Sequence, residues 1–290
     1  MEIEAIASLA ALARAKARQL RHGPFSYFVL SMLAGAYVGF GIVLIFAIGA
    51  PLAGAGSPAT KTVMGASFGV ALTLVIFAGS ELFTGNNLTM VVGALSRTVS
   101  AASVAKVWLV SFAGNLVGSM LLGGAVAASG LMGKAPASTF IASTVAAKMH
   151  APALELFVRG VLCNVLVCLA VWMGARTKSE GARLVLIFWC LFAFIGAGFE
   201  HSVANMTLLS MGLFLPHDPS VISWLGFARN LGLVTLGNVA GGALLVALPY
   251  WSIARSQQRI ARLPAGVPPL PFDPSPSMLE PAMLQVAVDR

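Results

Sequence analysis

The segments SELFTGNNLTM (residues 80–90) and FEHSVANMTLL (residues 199–209) each interrupt a long apolar stretch with polar side chains. Each carries a glutamate as its second residue, Glu81 or Glu200, and each contains Asn-x-Thr near its end. An ionisable residue at the centre of a membrane-spanning helix costs about 2.5 to 3.5 kcal/mol on insertion scales, so such residues indicate a function. We therefore interpret both segments as breaks within membrane-spanning helices.

The composition around the two breaks is that of a membrane protein. Of 290 residues, 58% are hydrophobic and 10% are charged, and the mean hydropathy is +0.88. Soluble domains carry about 25% charged residues, which excludes an ordinary soluble enzyme, a disordered chain and a secreted disulfide-rich domain. The three cysteines lie in apolar stretches and predict no redox role. The net charge of +8 comes from basic residues spread between apolar stretches, so nucleic acid is not an expected partner.

Six apolar runs are long enough to cross about 30 Å of hydrocarbon. They cover residues 27–50, 63–80, 107–132, 156–175, 184–215 and 231–254, and the two breaks follow the second run and lie within the fifth. With a cytoplasmic N-terminus, 13 of the 18 Lys and Arg residues lie on the cytoplasmic side. Because cytoplasmic loops carry an excess of Lys and Arg, we expect both termini to be cytoplasmic.

The six runs divide the chain into three parts. Residues 1–24 combine helical apolar spacing with basic residues, which predicts a cytoplasmic interfacial helix rather than a cleavable signal. Residues 25–255 are expected to form the six-span domain. Residues 256–290 hold 7 of the 15 prolines between Pro264 and Pro281, which predicts a disordered cytoplasmic tail.

The two breaks belong to an internal repeat. Glu81 and Glu200 are 119 residues apart, Asn87 and Asn205 are 118 apart, and a Gly-Asn-x-x-Gly motif recurs after 123 residues. The repeat predicts two three-span halves, about 25–132 and 153–255. Because three is odd, the second half enters the membrane from the opposite side. The predicted fold is therefore an all-α membrane protein with six transmembrane helices as an inverted 3+3 repeat, helices two and five being broken, as in transport proteins.

The polar residues at the breaks leave several interpretations open. The carboxylates of Glu81 and Glu200 suit a structural role, in which they accept hydrogen bonds from exposed backbone N–H groups of the following half-helix. His201 is either a neutral imidazole satisfied in the core or a proton donor in a conduit. It lacks a second His or Cys at ligand spacing, so neither a metal nor a cofactor is expected. Asn164 either links helices or faces the pore.

Three segments then resemble the formate/nitrite transporter family of pentameric membrane channels and transporters. They are GFEHSVANM at 198–206, LCNVLVCLAVWM at 162–173 and ELFT at 81–84. The resemblance covers roughly residues 25 to 255 and is closest to the nitrite branch, on GAYVG at 35–39 and ANMTL at 204–208. Formate channels tend to carry Asp where Glu81 stands. The resemblance to this family implies an aquaporin-like arrangement and a homopentamer in the bacterial inner membrane, surrounded by lipid, with a pore in each protomer.

The resemblance also implies roles for individual residues. His201 matches the central pore histidine, Thr84 the threonine that faces it, and Asn164 a polar residue nearby. Lys148 matches a lysine near the outer vestibule, whereas spacing alone favours an ordinary solvated lysine. Two apolar constrictions are expected at or near five residues: Leu72, Leu82, Phe83, Phe68 and Phe194. Glu81, Glu200 and Asn205 are expected to be structural at the breaks.

The function expected from these matches is transport of nitrite, with His201 as a proton or hydrogen-bond donor. Formate, hydrosulfide or several small anions remain alternatives, because selectivity depends on pore radius and a few dipoles. A membrane enzyme with Glu200 and His201 as an acid/base pair is disfavoured, since adjacent helical residues do not face each other and no nucleophile accompanies them. We expect a transport protein and not an enzyme.

Overall fold

The computed structural model describes residues 2–261, and these residues form helices joined by short turns. Residues up to Ala254 make one compact unit, and a second unit begins at Arg255. The helices are α1 (Glu2–His22), α2 (Pro24–Gly54), α3 (Thr60–Ser67), α4 (Val70–Phe77), α5 (Phe83–Leu95), α6 (Ala101–Ala128), α7 (Ala137–His150), α8 (Ala153–Arg176), α9 (Glu180–Ala197), α10 (Ser202–Phe214), α11 (Trp224–Ala240) and α12 (Leu248–Ile260). A π-helical segment, Gly241–Ala247, joins α11 to α12 and was not predicted.

Within residues 2–261, six helical stretches are long and apolar enough to cross a membrane. They are Pro24–Gly54, Thr60–Phe77, Ala101–Ala128, Ala153–Arg176, Glu180–Ala197 and Trp224–Ile260. This confirms the six predicted spans and the all-helical class. The 13-residue helix α10 is also apolar but is too short to cross alone, because a span needs about 20 residues.

Both predicted breaks are places where one helix ends and another begins. Helix α4 ends at Phe77 and α5 begins at Phe83, and α9 ends at Ala197 and α10 begins at Ser202. Gly79 (φ 74°) and Gly198 (φ 78°) take the left-handed conformation at the two breaks, which a residue with a Cβ adopts only under strain. After each glycine, the next glutamate donates its backbone N–H to a neighbouring helix, Glu81 to Leu30 and Glu200 to Arg159.

The Gly-Asn-x-x-Gly motifs bring two pairs of helices into backbone contact. A Cβ on Gly118 of α6 would lie 1.9 Å from the Met32 carbonyl oxygen of α2, and one on Gly237 of α11 would lie 2.2 Å from the Phe157 oxygen of α8. Only glycine permits so close an approach. The motifs therefore hold α2 against α6 and α8 against α11.

The two ends of the described residues are helical. The apolar face of α1 carries Ile6 and Leu9, which share one buried cluster with Leu88 and Trp172. At the other end, α12 continues to Ile260, so the first residues of the predicted tail are helical. The remainder of that tail, 262–290, lies outside the described residues.

Candidate functional site

At the first break, the carboxylate of Glu81 lies at the centre of a buried polar cluster. Its Oε2 accepts hydrogen bonds from Lys16 Nζ at 2.5 Å, from the Tyr27 hydroxyl at 2.7 Å and from Asn86 Nδ2 at 3.4 Å. Asn86 also donates to the Tyr27 oxygen at 3.3 Å. Lys16 comes from α1 and Tyr27 from α2, so the cluster joins three helices around one buried charge.

The second break carries a matching cluster around Glu200. Lys148 Nζ donates to Oε1 at 2.7 Å, and Asn205 Nδ2 donates to Oε2 at 2.6 Å. Asn205 also donates to Asn230 Oδ1 at 2.9 Å, and Asn230 donates to the Lys148 carbonyl oxygen. Each glutamate therefore has a lysine from an earlier helix, α1 or α7, and an asparagine five residues further along.

The two clusters correct the predicted pairing of asparagines. Asn86 and Asn205 occupy matching places, each five residues after its glutamate, whereas the sequence comparison paired Asn87 with Asn205. Asn87 instead accepts a hydrogen bond from Asn164. The side-chain contacts thus give an offset of 119 residues, the same as for the glutamates.

The hydrogen bonds predicted for the two carboxylates are also corrected. The first N–H groups of α5 and α10 donate to other side chains, Phe83 N to Asn115 Oδ1 and Ser202 N to Asn238 Oδ1, each at 2.9 Å. The amide nitrogens of Asn115 and Asn238 donate in turn to the carbonyl oxygens of Glu81 and Glu200. A buried carboxylate needs a cationic partner, and an amide can both donate and accept, which explains the division of roles.

Thr84 and His201, one from each break, are in hydrogen-bond contact. Thr84 Oγ1 lies 2.9 Å from His201 Nε2, although the residues are 117 positions apart. His201 Nδ1 accepts the Ala204 backbone N–H at 3.1 Å, so this nitrogen carries no proton and the neutral ring is protonated at Nε2. The Nε2–H group therefore donates to Thr84, whose hydroxyl keeps its own proton for a further acceptor.

A small cavity borders His201. Its volume is about 10 Å³, and four of the five predicted constriction residues line it with His201: Phe68, Leu72, Leu82 and Phe194. The Phe194 ring lies 5.9 Å from the imidazole and the Phe68 ring 5.6 Å from Phe194, between centroids. Such a cavity is barely large enough for one water molecule. We call it the central cavity.

The fifth predicted constriction residue lies elsewhere. The Phe83 ring packs edge-on against Phe112 and Trp108 of α6, with centroid distances of 5.3 and 6.3 Å, and does not line the central cavity. Leu82 is extended and Phe83 begins α5, so their side chains point in different directions. Sequence adjacency alone did not distinguish them.

A larger cavity of about 510 Å³ lies next to Glu81. Side chains of α1, α4, α5, α8 and α9 line it, and Leu72 and Leu82 border both this cavity and the central cavity. We call it the Glu81 cavity. These two leucines therefore separate the two cavities.

Asn164 links helices. Its Nδ2 donates to the Asn238 carbonyl oxygen at 2.6 Å, to Asn87 Oδ1 at 3.0 Å and to the Thr84 carbonyl oxygen at 3.3 Å. These contacts tie α8 to α5 and α11 behind Thr84. Asn164 is not among the residues lining the central cavity.

Several residues of the two clusters were not singled out from the sequence: Lys16, Tyr27, Asn86 and Asn230. A signal existed for Lys16, because Leu9, Ala13 and Lys16 share one helix face and the first two are buried. Tyr27 and Asn230 carry no such local signal, because their partners in the clusters lie far away in the sequence. Within residues 2–261, no group of three or more His, Cys, Asp or Glu side chains has a geometry for metal.

Comparison with known proteins identifies the family. The model of the formate/nitrite transporter family matches residues 4–252. The chain belongs to the formate/nitrite transporter family. It is therefore a multi-pass membrane protein of a family of transporters and channels.

Individual relatives cover most of the chain. A protein called nitrite transporter NirC from Salmonella typhimurium is 43% identical over 263 residues, which is 90% of this chain and 95% of the relative. A solved structure titled FNT family ion channel is 42% identical with a TM-score of 0.81, covering 86% of this chain and 98% of that one. A pentameric formate channel with formate bound is 27% identical with a TM-score of 0.68, covering 79% and 96%.

Proposed function

We propose that this protein transports nitrite across the bacterial cytoplasmic membrane, through a pore in each protomer of a homopentamer, with both termini cytoplasmic. The observation that carries the proposal is the Thr84–His201 hydrogen bond beside an apolar cavity. Relatives named nitrite transporters, at 43 and 44% identity, support nitrite as the anion. The two matched clusters support the inverted arrangement of the halves.

The apolar walls account for the need for a donor at the centre. A bare anion passing Leu72, Leu82, Phe68 and Phe194 loses its hydration, and burial of an unpaired charge costs many kcal/mol. The Thr84 hydroxyl, freed by the Nε2–H bond, donates to the anion where the walls are driest. The central cavity is smaller than nitrite, so passage requires its side chains to move.

His201 has two roles in this proposal. At rest it supplies a hydrogen bond through Thr84. It supplies a proton only after Nδ1 releases the Ala204 N–H and takes up a proton from the aqueous side, because a neutral ring with one N–H has no proton to give without becoming an anion. A proton carried with the anion makes the crossing species neutral.

Lys148 is the proposed cation of the outer mouth. Its ammonium is bound to Glu200 at 2.7 Å, and its side chain is 20% exposed. Glu200 compensates the charge, so Lys148 acts at short range, through N–H groups that remain free to meet an anion.

Formate or a broader range of small anions is the alternative. A protein called probable formate transporter from Methanothermobacter thermautotrophicus is 40% identical over 242 residues, which favours keeping this candidate. Nothing in the apolar lining of the central cavity distinguishes nitrite from formate, because both are small anions of the same charge.

Flux into proteoliposomes tests the proposal. Nitrite, formate and hydrosulfide are presented separately to the purified full chain, with a pH dye inside and empty liposomes as control. We expect nitrite to be preferred, with acidification of the interior. Equal flux of all three without a pH change supports the broad channel, and no flux of any anion contradicts the proposal.

A further inference from the structure

The Glu81 cavity is lined by three charged side chains. They are Lys16, Glu81 and Arg183, and they come from α1, from the break before α5 and from α9. Lys16 and Glu81 form an ion pair at 2.5 Å and cancel each other. The lining therefore keeps one positive charge, that of Arg183.

Arg183 has no acidic partner among residues 2–261. Its Nη2 donates to the carbonyl oxygens of Gly174 and Thr177, both at 3.3 Å, and no carboxylate lies within ion-pair distance. These two long bonds orient the guanidinium and leave its charge uncompensated. Most of its five N–H groups remain free for another acceptor.

The place of Arg183 in its helix does not favour a cation. It is the fourth residue of α9, whose N-terminal end carries the positive end of the helix dipole. A basic residue there opposes the dipole, so the stability of α9 does not explain it. Arg183 borders the same cavity as Leu72 and Leu82, which separate that cavity from the central one.

We propose that Arg183 binds the transported anion at the Glu81 end of the pore, before it reaches the leucines. This inference rests on the proposed function. A guanidinium keeps its charge at every working pH and attracts small anions, which suits nitrite and carboxylates alike. A single uncompensated charge in a cavity with apolar walls also raises the local concentration of anions.

A second explanation is purely structural. Gly174 and Thr177 lie at the C-terminal end of α8, where arginine side chains stabilise helices by donating to the last carbonyl groups. The two explanations differ in which substitution for arginine preserves function. The structural role needs the forked donor geometry of the guanidinium, whereas anion binding needs the positive charge.

The test compares R183Q and R183K in membrane vesicles of both orientations. In R183Q, we expect the half-saturating nitrite concentration to rise at least three-fold when nitrite is presented on the Glu81 side. Maximal flux and the value for the opposite side stay within two-fold of wild type. R183K restores most of the Glu81-side affinity because it restores the charge. K178Q is the matched control, since Lys178 is exposed five residues earlier, between α8 and α9, and does not line the cavity.

Salt provides a measurement that needs no variant. Raising ionic strength screens an exposed charge, so wild-type half-saturation on the Glu81 side should rise more steeply than on the opposite side, and R183Q should lose this difference. Unchanged Glu81-side half-saturation in R183Q, an equal change on both sides, or an equal defect in R183K and R183Q overturns the inference. Wild-type vesicles without flux contradict the proposed function instead.

Discussion

His201 engages both ring nitrogens at once, and this limits what it can do. Nδ1 accepts the Ala204 N–H and caps α10, while Nε2 meets Thr84. The ring is therefore part of the helix break as well as of the proposed pore. A substitution that removes the ring but keeps the cap separates these roles.

His201→Asn makes that separation. Asparagine is a good N-cap residue, and its amide can donate to Thr84 but cannot take up a proton. If His201 relays a proton, wild-type flux rises as the external pH falls. We expect H201N to fold and to conduct nitrite, but to lack this rise. Flux against pH in proteoliposomes measures this, with H201L as the variant that also removes the cap. An unchanged pH profile in H201N leaves only the hydrogen-bond role.

At the scale of helices, two kinds of contact hold the breaks in place. Glycine allows α2 to touch α6 and α8 to touch α11, and lysine–glutamate pairs tie α1 and α7 to the broken helices. The first contacts fail by overpacking and the second by leaving a charge unpaired, so they predict different mutational effects.

Gly118→Ala tests the backbone contact. The added Cβ would lie 1.9 Å from the Met32 oxygen, so the helices must separate. Overpacking of this kind costs about 1–3 kcal/mol or more, and we expect a lower unfolding temperature in detergent. Gly124 is the control on the same helix, because a Cβ there meets only Phe214 side-chain atoms, at 3.7 Å. Equal unfolding temperatures for G118A and G124A would contradict the assignment.

Lys16→Met tests the ion pair at the first break. Glu81 would lose its cationic partner although its side chain is only 10% exposed, and breaking a buried pair costs about 3 to 5 kcal/mol. The double variant K16M/E81Q leaves no charge behind, so we expect it to unfold at a higher temperature than K16M. Arg159, paired with Glu155 at an exposed site, is the control, and R159M should cost about 1 kcal/mol or less. A double variant no more stable than K16M would contradict the view that the unpaired charge of Glu81 destabilises K16M.

For the whole molecule, the important fact is that one chain contains both cavities and the two residues of the proposed donor pair. Thr84, His201, the central cavity and the Glu81 cavity all lie within residues 2–254 of a single protomer. Each protomer of the proposed pentamer should therefore conduct on its own.

Mixed pentamers test this independence. Wild-type chains are co-expressed with differently tagged T84V/H201L chains, which lack the central donors. We expect nitrite flux to be directly proportional to the fraction of wild-type chains in the mixture. A steeper loss shows that protomers act together, and recovery of both tags in one purified complex confirms mixing.

Much of the architecture follows from local sequence patterns. Apolar length sets the six spans, and glutamates and asparagines mark the two breaks, so these features are detected from residues close together in the chain. Their physical basis is the cost of polar groups in hydrocarbon. The pairing of Thr84 with His201 comes from the family resemblance instead.

Only the tertiary structure decided which groups meet across the bundle. Lys16 reaches Glu81 over 65 residues, Asn86 rather than Asn87 matches Asn205, and Phe83 turns toward α6 while Leu82 faces the cavities. The side chain that neutralises Glu81 depends on how α1 docks, and the ring nitrogen that carries the proton depends on where the Ala204 N–H points. Sequence determines which groups must be satisfied in the membrane, but packing between distant helices determines their partners.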